Sequence, residues 1–316
     1  METRSIVGRI NPAIVAVAAI TIVLLATGFV LSERFRTVSN LQNVLEQSAP
    51  LAFVALGQTM VILAGGIDLS LDGQVALIST LVSGLIDGQP ERVLPIVAGA
   101  LLLGAAIGLA NGALVLLLRV HPLIVTLGVA AILQGCTLLY TLTPVGSVPP
   151  DFDVFAYGRV LGVPIGISLA VACFAAAGVL LHRTRLGRQV YALGGDPHAA
   201  ALVGVPVPRV ILFCYGVSGF LAAITAIFLV SRLGVGSPVA DQGFNLASIT
   251  PVVVGGTLLT GGRGGVLGTI LGVVMVQLLN NLLNFLDVST FYQWMIQGII
   301  VIVAVSVLVD RRRAVA

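Results

Sequence analysis

The sequence predicts an all-α fold: a polytopic transmembrane helical bundle of about ten spans, forming one domain over residues 1–316. Three observations predict it. Hydrophobic residues make up 58% of the chain and charged residues only 9%, and the mean hydropathy is +1.10. Membrane-length apolar windows recur from one end to the other. The arginines sort to alternate sides of those windows when both termini are placed inside.

The first apolar run, 11–32, follows Arg4 and Arg9. At about 20 residues, and with no small-x-small site at its end, it reads as an uncleaved first span. Next come 49–64 and 69–86, separated by Gly65-Gly66-Ile67-Asp68-Leu69-Ser70. The paired glycines permit a tight turn, and Asp68 or Ser70 is placed to cap the following helix. Segments 93–118 and 122–141 lead to a loop rich in proline and glycine, roughly 142–160, and then to 161–182. Segments 210–231, 247–260, 264–284 and 291–309 complete the ten. Segments 49–64 and 247–260 are short, so their ends require protein or a water-filled cavity to cover the backbone. Phe291, Tyr292 and Trp294 open the last span where amphipathic rings favour the outer interface, and Arg311, Arg312 and Arg313 anchor its other end inside.

The stretch from Arg183 to Arg209 interrupts this pattern as a polar, arginine-bearing island. Asp196 is placed to cap a helix whose first residue is Pro197, and Gly204 to close it after about two turns. Such a helix has nothing of its own to pack against and is built to meet a partner. The competing reading is a solvated loop whose arginines only fix topology.

Charge and composition exclude several functions. All 16 positive side chains are arginines, because lysine is absent. A phosphate-binding loop of the Walker type needs its lysine, so no such ATPase site is expected in this chain. Cys136, Cys173 and Cys214 are far apart, as are His121, His182 and His198, and neither set has zinc-ligand or disulfide spacing. No metal, no cofactor, no catalytic residue and no nucleic-acid partner is expected. With both termini inside, eleven arginines lie inside and five, Arg34, Arg36, Arg92, Arg159 and Arg232, outside. The island then faces the cytoplasm. Asp87, Glu91, Asp151, Asp153, Asp241 and Asp287 fall in outer loops.

Polar side chains inside spans point to a pathway, since each is costly in lipid. Gln277, Asn280, Asn281 and Asn284 are three to four residues apart and are expected to share one face; Gln293 and Gln297 pair similarly in the last span. Gln58, Thr59, Asn111 and Gln134 add single polar positions. Amides donate to and accept from sugar hydroxyls, but interhelical bonding explains the same residues equally well. Every carboxylate maps to a turn or loop in this reading, which argues against an ion-coupled secondary carrier.

Three motifs carry a resemblance: Gly65 to Ser70; the run Gly187 to Asp196 with Ala199, Ala200 and Gly204; and Gly255-Gly256-Thr257 with Gly261-Gly262-Arg263-Gly264-Gly265-Val266-Leu267-Gly268. Together they resemble the permease subunits of the ribose, xylose and arabinose type of ABC importer, over residues 40 to the end, with nucleoside and branched-chain amino acid permeases as more distant kin. The resemblance implies a type II importer fold in a bacterial inner membrane. It implies a cytoplasmic ATPase pair, an external solute-binding protein and a second permease, identical or sister. It equates Arg188, Tyr191, Gly194, Gly195, Asp196, Ala199, Ala200 and Gly204 with a coupling helix seated in the ATPase. Gly65, Gly66, Asp68, Ser70, Gly262 and Arg263 are expected at cytoplasmic turns. The chain departs from the pattern at Asp72, where a small residue is usual, and at Pro197, His198 and Ala201. A monosaccharide is the expected solute; a nucleoside, an autoinducer or an amino acid, or a self-contained carrier, are the alternatives.

Overall fold

The computed structural model describes residues 12–160, 162–238 and 243–313, with side chains from 13 to 306 within those ranges. Arg4, Arg9 and Asp241 lie outside the described residues, as do the side chains of residues 311–313. In chain order the helices are α1 Pro12–Leu31, α2 Val38–Leu63, α3 Leu71–Ile86, α4 Pro90–Leu118, α5 Pro122–Tyr140 and α6 Val154–Tyr157. A two-stranded hairpin, β1 Arg159–Val160 and β2 Val163–Pro164, precedes α7 Ile165–Arg183. Then follow α8 Arg185–Gly195, α9 Pro197–Leu202, α10 Val207–Leu233, α11 Phe244–Val254, α12 Val266–Phe285 and α13 Thr290–Arg313.

Each of the ten expected spans overlaps a helix, but 247–260 runs six residues past the end of α11 at Val254. Six of these helices, α1, α4, α5, α7, α10 and α12, are long and apolar enough to cross a membrane by length and composition, whereas α3, α11 and Thr290–Ser306 of α13 are apolar but shorter. The 26-residue α2 begins well before the apolar window, at a Thr37 cap that accepts the Asn40 amide, and it is buried from Ser48 to Leu63.

The core is built around α2 and α10. Their side chains are small where they touch neighbours: Gly57 of α2 packs on the Ser218 backbone, and Gly104, Gly108 and Gly112 of α4 lie on Gly219, Tyr215 and Leu212 of α10. A glycine every fourth residue lets two helix backbones approach closely, so van der Waals contact replaces the hydrophobic drive that lipid cannot supply. On the other side Gly268 and Gly272 of α12 meet Gly255 and Pro251 at the end of α11. The loop 142–160 is not loose. Phe152 and Ala156 are buried, and Ser231 at the end of α10 donates to the Phe152 carbonyl (2.6 Å) and accepts from the Ala156 amide (3.1 Å).

Candidate functional site: a glycine joint under a docking segment

The island contains two helices where one was expected. Thr184 starts α8 by accepting the Gly187 amide at 3.1 Å, and the helix buries Gly187, Val190, Leu193 and Gly194 while Arg185 and Arg188 stay exposed. Membrane-length apolar runs do not reveal this amphipathic face, because eleven residues with arginines look like a loop. Asp196 then ends α8 and caps α9, its Oδ1 accepting from the amides of His198 (2.9 Å) and Ala199 (3.0 Å). Gly204, at φ +80°, closes the unit. Ala199 is exposed, but Ala200 is only 3% exposed and faces inward, so α9 does pack on its own chain. Its outward apolar side chains are Leu202 and Val203, 77% and 80% exposed. Neither stood out in the sequence, where aliphatic residues are everywhere.

The glycine motifs converge beneath α8. Gly262 donates its amide to the Leu63 carbonyl at 3.1 Å. Gly194 is wedged between that carbonyl and the Gly262 amide, and a Cβ there would collide with both. A Cβ on Gly261 would stand 2.9 Å from the Cα of Gly194 and of Gly65, and one on Gly262 would stand 2.6 Å from the Gly195 amide nitrogen. Gly65, Gly261 and Gly262 all take positive φ, 85°, 84° and 70°, which glycine adopts without steric cost. Three separated stretches of backbone therefore meet with no side chain between them. Tyr191 of α8 ties the joint by donating its hydroxyl to the Gly264 carbonyl at 3.0 Å, and burial pushes that phenol above its ordinary range. Arg263 is exposed.

Beyond the joint, the two breaks diverge. Gly66 packs under the Tyr215 ring, whose hydroxyl donates to the Ile67 carbonyl at 3.3 Å. Asp68 is fully buried: Oδ1 accepts from the Ser70 amide (3.0 Å) and hydroxyl (2.6 Å), and Oδ2 from the Ser218 hydroxyl (2.9 Å). Ser70 Oγ also accepts from Gln74 Nε2 and Asn111 Nδ2, each at 2.7 Å. Two expectations are corrected here. Ser70 makes no side-chain cap on α3, because its hydroxyl is committed to Asp68. The Asp68–Ser70 end of this motif also leaves the joint and reaches the middle of α10, so a carboxylate does lie deep in the bundle. Asp72 likewise serves another element, accepting the Asn245 amide at 3.0 Å at the start of α11.

The polar residues of α12 divide into two rows with different partners. Gln277 donates to the Gln47 carbonyl (2.9 Å) and Asn281 exchanges two bonds with Asn40 (3.0 and 3.1 Å), both towards α2. Asn280 accepts from Gln297 (3.2 Å) and Asn284 from Gln293 (2.7 Å), both towards α13. The single expected face is thus two seams, 277/281 and 280/284, each one helical turn long. Gln58 is buried with neither amide atom hydrogen-bonded, and Asn111 Oδ1 is also unpartnered.

A helical membrane bundle with two glycine-rich breaks, joined to a capped amphipathic segment, fits the class of multi-pass permeases. The comparisons give the family. The profile of branched-chain amino acid transport system permease components matches residues 40–305. The chain is 40% identical over 297 residues to the ribose import permease protein of Escherichia coli strain K12, covering 92% of each. It is 40% identical to that of Bacillus subtilis strain 168, covering 90% of this chain and 88% of the relative. The D-allose transport system permease protein of Escherichia coli strain K12 is 33% identical, with 91% and 88% covered. No solved structure matches. The chain belongs to this family of transport-system permeases.

Proposed function

We propose that the chain is the membrane subunit of an ATP-driven importer that passes a monosaccharide from an external binding protein to the cytoplasm of a bacterium. It crosses the inner membrane ten times with both termini inside, and it pairs with a second permease, a copy or a sister chain. The segment α8–α9 faces the cytoplasm and seats in an ATPase subunit. The observation that carries the reading is the glycine joint: Gly194, at the end of the docking helix, touches the ends of both broken helices at once. A push on α8 has no flexible side chain to dissipate in, so it moves α2 and the turn before α12 together. The names of relatives that import ribose and allose, and of the fructose import permease of Rhizobium meliloti, 32% identical over 94% of this chain, support a sugar as solute.

Purification from the native host in mild detergent tests this. A co-purifying ATPase, with vanadate-sensitive uptake of ribose, allose or fructose into vesicles holding the assembled complex, is the expected result. A chain that purifies alone and transports without ATP overturns it and marks a secondary carrier.

A further inference from the structure

We propose that Asp72 and Asn245, with Gln134 and Trp294 beside them, form a contact site for sugar hydroxyls on the translocation path; this deepens the importer reading and rests on it. Depth comes from α10. Ser218, the residue of α10 that bonds Asp68, is eleven residues from Val207 and fifteen from Leu233, about 16 and 22 Å along the helix at 1.5 Å per residue. Asp72 follows Asp68 by four residues and is the second residue of α3, whose far end, Ile86, is fourteen residues away, about 21 Å. It therefore sits inside a hydrocarbon core about 30 Å thick.

At that depth Asp72 is only partly buried, and so are Asn245 and Gln134, while Trp294 is 45% exposed. A charged group inside a span is sustained against protein or water rather than lipid. Four helices bring the set together. Asp72 of α3 and Asn245 of α11 exchange bonds, Oδ1 of each accepting the other's backbone amide at 3.0 and 3.4 Å. Gly73, next to Asp72, packs on Ala130 and Leu133 of α5, which places Gln134 alongside; its Nε2 reaches the Pro238 carbonyl at 3.3 Å. A Cβ on Gly243, two residues before Asn245, would stand 3.6 Å from the Trp294 indole nitrogen. A carboxylate that accepts from hydroxyls, two amides that both donate and accept, and an indole N–H that donates suit a neutral polyhydroxylated ring.

The test has two arms. In a chain with Cys136, Cys173 and Cys214 changed to alanine, Asp72→Cys is exposed to a membrane-impermeant methanethiosulfonate, and labelling is compared with Val75→Cys on the same helix, a position with 0% exposure. Labelling at 72 at least about tenfold faster is expected, because water reaches a path and not a packed core. In the complete importer, Asp72→Asn is expected to slow uptake of the transported sugar by about tenfold or more, as loss of a charged hydrogen-bond acceptor does, with the ATPase still co-purifying. Labelling no faster than at 75, or uptake at the parental rate, overturns the site. If the complex imports none of ribose, allose and fructose, the monosaccharide reading falls, while the labelling arm still decides whether Asp72 lines an aqueous path.

Discussion

The backbone amide of Gly262 donates to the carbonyl of Leu63 at 3.1 Å, a bond between residues 199 positions apart in the chain. Leu63 ends a helix whose preceding carbonyls, Met60, Val61 and Ile62, accept from the amides of Ala64, Gly66 and Gly65, and Gly262 supplies the partner of the last one from the opposite break. The bond closes only because Gly194 passes over it without a side chain.

Two neighbouring glycines make this testable. Gly194→Ala places a methyl against the Leu63 carbonyl, whereas the Cβ of Gly195→Ala meets nothing within 4 Å. Overpacking of this kind costs about 1–3 kcal/mol. Gly194→Ala is expected to lower the midpoint of thermal unfolding in detergent and to abolish uptake, and Gly195→Ala to leave both near the parental values. Equal behaviour of the two variants contradicts the joint.

At the end of α9 the exposed apolar positions are Leu202 and Val203, whereas Ala200 is buried; in the proposed complex Leu202 and Val203 face the ATPase. Leu202→Asp with Val203→Asp is expected to strip the ATPase from the purified permease without changing membrane insertion, since burying an unpaired carboxylate at a contact is strongly unfavourable. Retention of the ATPase at parental stoichiometry in a pull-down argues that another surface docks.

The cap of α9 has a smaller, separable effect. Asp196→Ala removes the one oxygen, Oδ1, that accepts from both amides, at a cost of about 1 kcal/mol, and Asp196→Ser restores a side-chain oxygen at the cap. Coupled ATP hydrolysis is expected to fall in the alanine variant and to recover in the serine variant, with little change in the unfolding midpoint, because six residues of surface helix are affected.

How much of this was legible in the sequence follows from length scales. Apolar windows mark the six helices long and apolar enough to span a membrane, and Asp196-Pro197 with Gly204 marks α9, because caps are local. The joint was visible only as three glycine pairs, since nothing in Gly65-Gly66, Gly194-Gly195 or Gly261-Gly262 states that they touch one another. Asp68 does lie in the turn between α2 and α3, but its burial is not legible in the sequence because its partner, Ser218, lies 150 residues away. The rows on α12 were seen as one face because i, i+3 and i+4 spacing fixes a stripe and leaves open which neighbour each half of it meets.

Asn40 and Asn281 test whether the 277/281 seam is glue. Each donates to the other's carbonyl oxygen, so either single alanine takes that partner from a half-buried amide, Asn40 keeping its bond to the Phe35 carbonyl at 3.2 Å, and the double variant removes both amides. Such pairs inside membranes are worth about 0.6 kcal/mol on average. Glue predicts that Asn40→Ala and Asn281→Ala each lower the unfolding midpoint, that the double variant loses less than their sum, and that uptake persists in all three. Uptake lost in Asn281→Ala alone, with its unfolding midpoint unchanged, would instead place this side chain on the solute's route.

Tyr191 supplies a pH dependence of known sign. Its phenol, ordinarily near 10, is raised by burial in the folded state, so the neutral hydroxyl that donates to the Gly264 carbonyl is favoured by folding. The stability linked to it is fully present below pH about 10, the unfolded value, and is lost as pH climbs from there through the raised folded value. Tyr191→Phe removes both the bond and the titration. The variant is expected to be slightly less stable than the parent at pH 8 and to show a shallower alkaline decline above pH 10, measured as the unfolding midpoint across a pH series; parallel curves for the two proteins would show that the Tyr191 hydroxyl does not hold the break.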